Sequence, residues 1–138
     1  MATEKLTNVF IVDDSEIERS MLTDHLAKYP HIKTKEFASG DHFIKEFIMG
    51  NLEEPDLVLM DYFLDGSGSS KDGLEILTKL KEISPSTKVI MLTSVHNEKI
   101  IDLAKKKGAL DYIIKSSVSF QQLDDVLAKH FDLKKQKA

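Results

Sequence analysis

No cysteine occurs among the 138 residues. Disulfides, thiolate chemistry and cysteine-based zinc sites are therefore excluded, which fits a reducing compartment such as the cytoplasm. No apolar run is long enough to span a membrane. The first residues, Met1-Ala2-Thr3-Glu4-Lys5, lack the basic-then-apolar pattern of a secretory signal. The expectation is a cytoplasmic protein with no membrane partner. An excess of positive charge is also missing: the net charge is −4, which argues against a nucleic-acid partner. There are only three prolines, and Pro30, Pro55 and Pro85 all fall between apolar segments rather than within them. The remaining composition, 41% hydrophobic and 30% charged, is that of an ordinary globular chain with a full core.

Four short apolar runs each end in a polar residue. Val9-Phe10-Ile11-Val12 runs into Asp13-Asp14, and Leu57-Val58-Leu59-Met60 into Asp61. Val89-Ile90-Met91-Leu92 runs into Thr93, and Tyr112-Ile113-Ile114 into Lys115. Such runs suit parallel strands buried on both faces. The spacing predicts strands at 8–12, 56–60, 88–92 and 110–114, with a weaker polar strand at 32–37 placed at a sheet edge.

Helical periodicity fills the gaps. Ile17, Met21, Leu22 and Leu26 mark a first helix reaching about Tyr29, with Ser15 and Glu18 as a capping box. Phe43, Ile44, Phe47 and Ile48 mark a second, stopped at Gly50. Asp72 is placed to cap a third, carrying Leu74, Leu77 and Leu80. Ile100, Ile101, Leu103 and Ala104 mark a fourth, ended by Gly108. Ser119 and Gln122 suggest a second capping box, opening a last helix with Leu123, Val126, Leu127 and Phe131. Met21, Met60 and Met91 are expected in the core, and the five histidines on the surface without metal-ligand spacing.

Strands alternating with helices predict an α/β fold, a doubly wound five-stranded parallel sheet with helices on both faces. One domain is expected over 1–138, with its core at about 6–131. A flexible Gly/Ser loop is expected at 65–71, and a short basic tail at 132–138.

In an open α/β sheet the ligand site lies beyond the carboxyl ends of the strands. That rule gathers Asp13, Asp14, Asp61, Thr93 and Lys115 at one edge. Clustered carboxylates repel one another, and a hard cation such as Mg²⁺ relieves the repulsion. A carboxylate can also act as a nucleophile toward phosphorus. Asp61, alone at the tip of the most apolar strand, is the candidate. Lys115 then offers positive charge and Thr93 a hydroxyl to the phosphoryl oxygens. Singly, each residue has a plainer reading: Asp13-Asp14 as a helix cap, Asp61 as a turn residue, Lys115 as a solvated strand-end charge, Thr93 as an ordinary strand residue. Their convergence on one edge favours the chemical reading.

This constellation resembles the receiver domain of two-component response regulators, of the single-domain chemotaxis type. Further matching features are Asp72-Gly73, Gly108-Ala109 and Tyr112 three residues before Lys115. The resemblance implies strand order 2-1-3-4-5, the flavodoxin-like order. It implies that Asp61 takes a phosphoryl group from a phosphohistidine of a sensor histidine kinase or histidine phosphotransfer protein. It implies Mg²⁺ bound by Asp14 directly, Asp13 mainly through water, Asp61, and the backbone carbonyl of Phe63. Thr93 and Tyr112 would form a switch pair that reports to a downstream protein through helix four, strand five and helix five. Such a module is a switch rather than a turnover enzyme.

The chain departs from the family pattern in three places. The Gly/Ser segment stands where a proline usually follows soon after the phosphorylated aspartate. Ser116 follows Lys115 where proline is usual across a cis bond, and a cis bond before a non-proline residue costs ~3 kcal/mol, which argues against that feature here. Phe63 and Val95 are apolar where the family is often polar. Competing readings are an aspartyl phosphatase, which usually needs an aspartate where Phe63 stands, and a flavodoxin-like nucleotide carrier, which Asp13-Asp14-Ser15-Glu16 would repel. A receiver-like scaffold independent of phosphorylation is the alternative within the family.

Overall fold

The apolar runs pair as a parallel sheet in order β2-β1-β3-β4-β5 in a computed structural model, which describes residues 5–64 and 72–133. The strands are β1 (Asn8–Val12), β2 (Lys33–Phe37), β3 (Leu57–Met60), β4 (Lys88–Thr93) and β5 (Asp111–Ile114). Between and after them lie α1 (Glu16–Leu26), α2 (Gly40–Ile48), α3 (Gly73–Ile83), α4 (Glu98–Lys106) and α5 (Ser119–His130). The expected fold class and strand order are both found.

Alternation along each strand feeds two cores. Phe10, Val12, Val58, Met60, Val89 and Met91 face the core that includes Phe43, Leu77, Leu80 and Ala104 of α2, α3 and α4. Val9, Ile11, Leu57, Leu59, Ile90 and Leu92 face the core built with Leu22, Leu26, Leu123 and Leu127 of α1 and α5. The three central strands are therefore apolar at nearly every position. β2 is a sheet edge, and only Phe37 of its five residues is buried. Its lysines Lys33 and Lys35 protect that edge from further strand pairing.

Several local expectations are corrected. α1 stops at Leu26, and Ala27 to Pro30 form turns rather than a further helical turn. Ser15 caps α1 by accepting the Glu18 N–H, but the box is not reciprocal. Asp13 Oδ1 takes the Ser15 N–H at 2.8 Å, so Glu18 has no free donor to return to. Ser119 is not a cap: it is the first residue of α5, preceded by Val118 without a side-chain cap, and its hydroxyl donates to the Ser116 carbonyl. Ile17, Met21, Ile48 and Leu103 fall on apolar helical stripes yet are exposed, so Met21 is not a core residue. His25 is not a free surface residue, because its ring pairs with Asp124 between α1 and α5. Asp72 caps α3 as expected, and Gly108, at φ +105, ends the turn after α4 where a side chain would be strained. The 65–71 segment, Asp65 included, and residues 134–138 of the basic tail lie outside the described residues.

Candidate functional site

The carboxyl ends of β1, β3, β4 and β5 place Asp13, Asp61, Thr93 and Lys115 beside one another. Backbone bonds continue the ladder past the strands and fix these positions. The Asp13 N–H donates to Phe37, the Asp61 N–H to Val12, and the Lys115 N–H to Thr93. The Gly73 N–H donates to the Tyr62 carbonyl at 2.7 Å, seating the start of α3 on the turn after Asp61.

One ammonium joins the acidic groups. Lys115 Nζ donates to Glu18 Oε2 at 2.7 Å, to Asp61 Oδ2 at 2.8 Å and to Asp13 Oδ2 at 3.0 Å. Asp13, Glu18 and Asp61 each offer a carboxylate oxygen, all within 4.8 Å of one another. Asp13 and Asp61 are buried, while the Glu18 side chain is 41% exposed. Burial pushes the Asp13 carboxyl up to about 6, against the pull of the Ser15 N–H and Lys115. Burial would lower the Lys115 ammonium, but hydrogen bonds to Asp61 and Glu18 hold it above its ordinary range. The two directions have different causes: the three anions keep the ammonium charged, while burial keeps the proton on Asp13 longer despite Lys115 beside it.

The donor set is hard oxygen, the chemistry that suits Mg²⁺. Asp14 is exposed at the rim and is not one of the three converging carboxylates. The Phe63 N–H donates to Asp61 Oδ1 at 3.3 Å, while the residue is 55% exposed and its ring packs edge-on to Tyr62. Thr93 is fully buried, and its Oγ1 accepts the Val95 N–H at 3.3 Å. The half-buried Tyr112 donates its hydroxyl to the Val95 carbonyl at 2.7 Å. Burial, together with Asp61 and Tyr62, pushes the Tyr112 hydroxyl up to about 12, so it remains a donor at neutral pH. No cis peptide bond occurs among the described residues, so Lys115-Ser116 is trans.

Glu18 is the residue that sequence reasoning missed. Its position three residues after Ser15 reads as a cap, and no local pattern announces a partner 97 residues away. A cavity of about 270 Å³ opens beside it, bounded by Met21, Leu22, Leu92, Lys115 and Phe120.

A five-stranded 2-1-3-4-5 sheet with acidic groups and a lysine at its carboxyl edge defines a receiver-type protein. Comparison with known proteins agrees: the response regulator receiver domain family model matches residues 9–128, and the chain belongs to that family. It is 33% identical over 125 residues to the response regulator protein VraR of Staphylococcus epidermidis, covering 90% of this chain and 56% of that one. It is 36% identical over 123 residues to VraR of Staphylococcus aureus, covering 88% and 54%. The chain thus spans about half the length of these curated relatives. Among solved structures, the response regulator domain of Thermotoga maritima CheB aligns at a TM-score of 0.71 and 28% identity, covering 91% of this chain and 92% of that one. The Mn²⁺-bound response regulator Rcp1 aligns at 0.77 and 20%, covering 96% and 99%. The CheX–CheY–BeF3–Mg complex of Borrelia burgdorferi aligns at 0.75 and 23%, covering 89% and 88%. The protein is a receiver domain of a two-component response regulator. No described helix is long and apolar enough to cross a membrane.

Proposed function

We propose that this domain is a phosphoacceptor switch in which Asp61 receives a phosphoryl group from a phosphohistidine. The donor is a sensor histidine kinase or a histidine phosphotransfer protein. A carboxylate oxygen of Asp61 forms the new P–O bond as the P–N bond to imidazole breaks, and the imidazole leaves with the bond's electron pair and takes up a proton. The observation that carries this reading is Lys115 Nζ, held 2.8 Å from Asp61 and 3.0 Å from Asp13 at the edge where the strands end. The ammonium is thereby placed to neutralise charge on the transferring group.

Asp13, Asp14, Asp61 and the Phe63 carbonyl would hold Mg²⁺, which when bound offsets the charge of the carboxylates and the phosphoryl oxygens. Thr93 and Tyr112 form the switch. Both hold Val95, one by its N–H and the other by its carbonyl. If the Thr93 hydroxyl turns to the phosphoryl group, it releases the Val95 N–H and loosens the start of the loop into α4. The output is a changed protein-binding face on α4, β5 and α5, read by a downstream protein, with turnover limited to slow self-dephosphorylation.

The test is transfer from a phosphohistidine-bearing domain with and without Mg²⁺, read by intact mass. One acid-labile phosphoryl group that forms only with Mg²⁺ is expected. No transfer from any such donor, nor from acetyl phosphate, contradicts the proposal.

A further inference from the structure

The Asp13 carbonyl lies ahead of α1, outside its helical ladder, in a residue that is buried. A buried carbonyl needs a donor, and here a side chain supplies it. Arg19 Nη1 donates to this carbonyl at 2.7 Å. Helical side chains lean toward the N-terminus, so a residue one turn into α1 reaches back to the strand end. The Arg19 N–H donates to the Ser15 carbonyl at 3.0 Å, which fixes the base of that reach. Arg19 Nε donates to Glu36 Oε1 of β2 at 3.2 Å, and the Thr23 hydroxyl donates to the other Glu36 oxygen at 2.8 Å. A guanidinium is a rigid planar fork, so its hold on Glu36 aims the donor given to Asp13. The Arg19 side chain is only 13% exposed, which keeps water from taking its place.

The held carbonyl belongs to the peptide that joins Asp13 to Asp14. At its other end Asp13 donates its N–H to the Phe37 carbonyl at 3.1 Å. Both main-chain groups of Asp13 are tied, and the orientation of the Asp13–Asp14 peptide with them. Asp14 is exposed, so this peptide sets where its carboxylate stands. We propose that Arg19 is a positioning residue for the metal site: steadied by Glu36 and Thr23, it fixes the Asp13–Asp14 peptide so that both carboxylates serve one cation. This rests on the reading of Asp13 and Asp14 as Mg²⁺ ligands. It puts a control of the site on α1 and β2, at the sheet edge away from β5.

The sign of the effect separates positioning from charge. A guanidinium beside an acidic pair repels a divalent cation, so a residue acting by charge alone would bind Mg²⁺ more tightly once neutralised. A clamp, once removed, weakens binding. Arg19→Gln removes the charge, keeps much of the stem, and ends its amide short of the Asp13 carbonyl. Mg²⁺ titration followed by amide resonances should show affinity lower by roughly tenfold, the low end for groups that orient metal ligands. The Asp14 amide nitrogen belongs to the held peptide, and its resonance should move before any metal is added. Glu36→Ala, on the exposed edge strand, should weaken binding less. It should add no further loss to Arg19→Gln, since Glu36 acts through Arg19. Unchanged or tighter Mg²⁺ binding in Arg19→Gln overturns the proposal, as does a Glu36→Ala loss of the same size in both backgrounds. If Arg19→Gln does not fold, Glu36→Ala alone decides, titrated at high ionic strength where its own charge is screened; affinity equal to wild type overturns the clamp. Asp14→Asn tests the reading beneath. Unchanged affinity in that variant removes the ligand assignment itself, whereas a loss there with none in Arg19→Gln removes only the role of Arg19.

Discussion

A side chain on Gly73 would collide with the main-chain carbonyl of Asp61. The first residue of α3 lies directly against the residue read as the phosphoacceptor, and only a hydrogen fits between them. Gly73→Ala should push α3 away from the turn at Asp61 and Tyr62. Overpacking of this kind costs about 1–3 kcal/mol. Urea unfolding should show that loss, and Mg²⁺ affinity should drop with it. An unchanged midpoint would mean that the helix start shifts freely.

The shared hold on Val95 yields a second prediction. Thr93→Ala should still accept the phosphoryl group but transmit it weakly, and Tyr112→Phe should likewise keep the acceptor chemistry. Backbone amide spectra around α4, recorded with and without a phosphoryl group, check this. Identical changes in wild type and Thr93→Ala would break the proposed link.

A third prediction concerns acid stability. Asp124 accepts from Lys28 Nζ at 2.6 Å and from His25 Nε2 and the Tyr29 hydroxyl at 2.9 Å, tying α5 to α1 and the turn after it. Burial alone would raise this carboxyl, but the three donors together hold it below the ordinary carboxylate range. A depressed carboxyl stabilises the fold above its unfolded value near 4 and loses that contribution as pH falls through its folded value. Asp124→Asn should cost about 1 kcal/mol at pH 7, after allowing for partial exposure of the cluster. The gap between variant and wild type should close in strong acid, as measured by urea unfolding at both pH values. A gap that does not change with pH would contradict this assignment.

How far the residues announced this arrangement depends on the range of each interaction. Strand runs ending in Asp13, Asp61, Thr93 and Lys115 were legible, because burial on two faces demands unbroken apolar stretches and the topology aligns their ends. The Asp72 cap and the Gly108 stop were legible because both are settled by local backbone chemistry. Glu18 was not, because a capping box and a long-range ion pair leave the same local pattern. Ile17, Met21 and Ile48 were misplaced for a related reason. Periodicity marks a helical stripe, but which part of it is covered depends on elements far along the chain. Ser119 failed as a cap because Ser116 already satisfies the turn before α5.

A fourth prediction concerns the lifetime of the phosphoryl group. Hydrolysis needs a water placed in line with the leaving oxygen. The flanking side chains Phe63 and Val95 have no group to hold that water. Phe63 is largely exposed beside Tyr62, so the expected slowing would come from the missing polar groups more than from physical cover. Phe63→Asn combined with Val95→Glu should shorten the lifetime by about tenfold or more, short of the roughly 10²–10⁴-fold that a fully positioned general base supplies. Decay followed by intact mass decides it, and equal decay in both proteins would contradict the argument.

The most direct test of the central claim is the identity of the acceptor. Wild type and Asp61→Asn are incubated with acetyl phosphate and Mg²⁺, and the mass of the intact protein is followed alongside circular dichroism. The account predicts one acid-labile phosphoryl group on wild type and none on a folded Asp61→Asn protein. Undiminished labelling of that variant would contradict it.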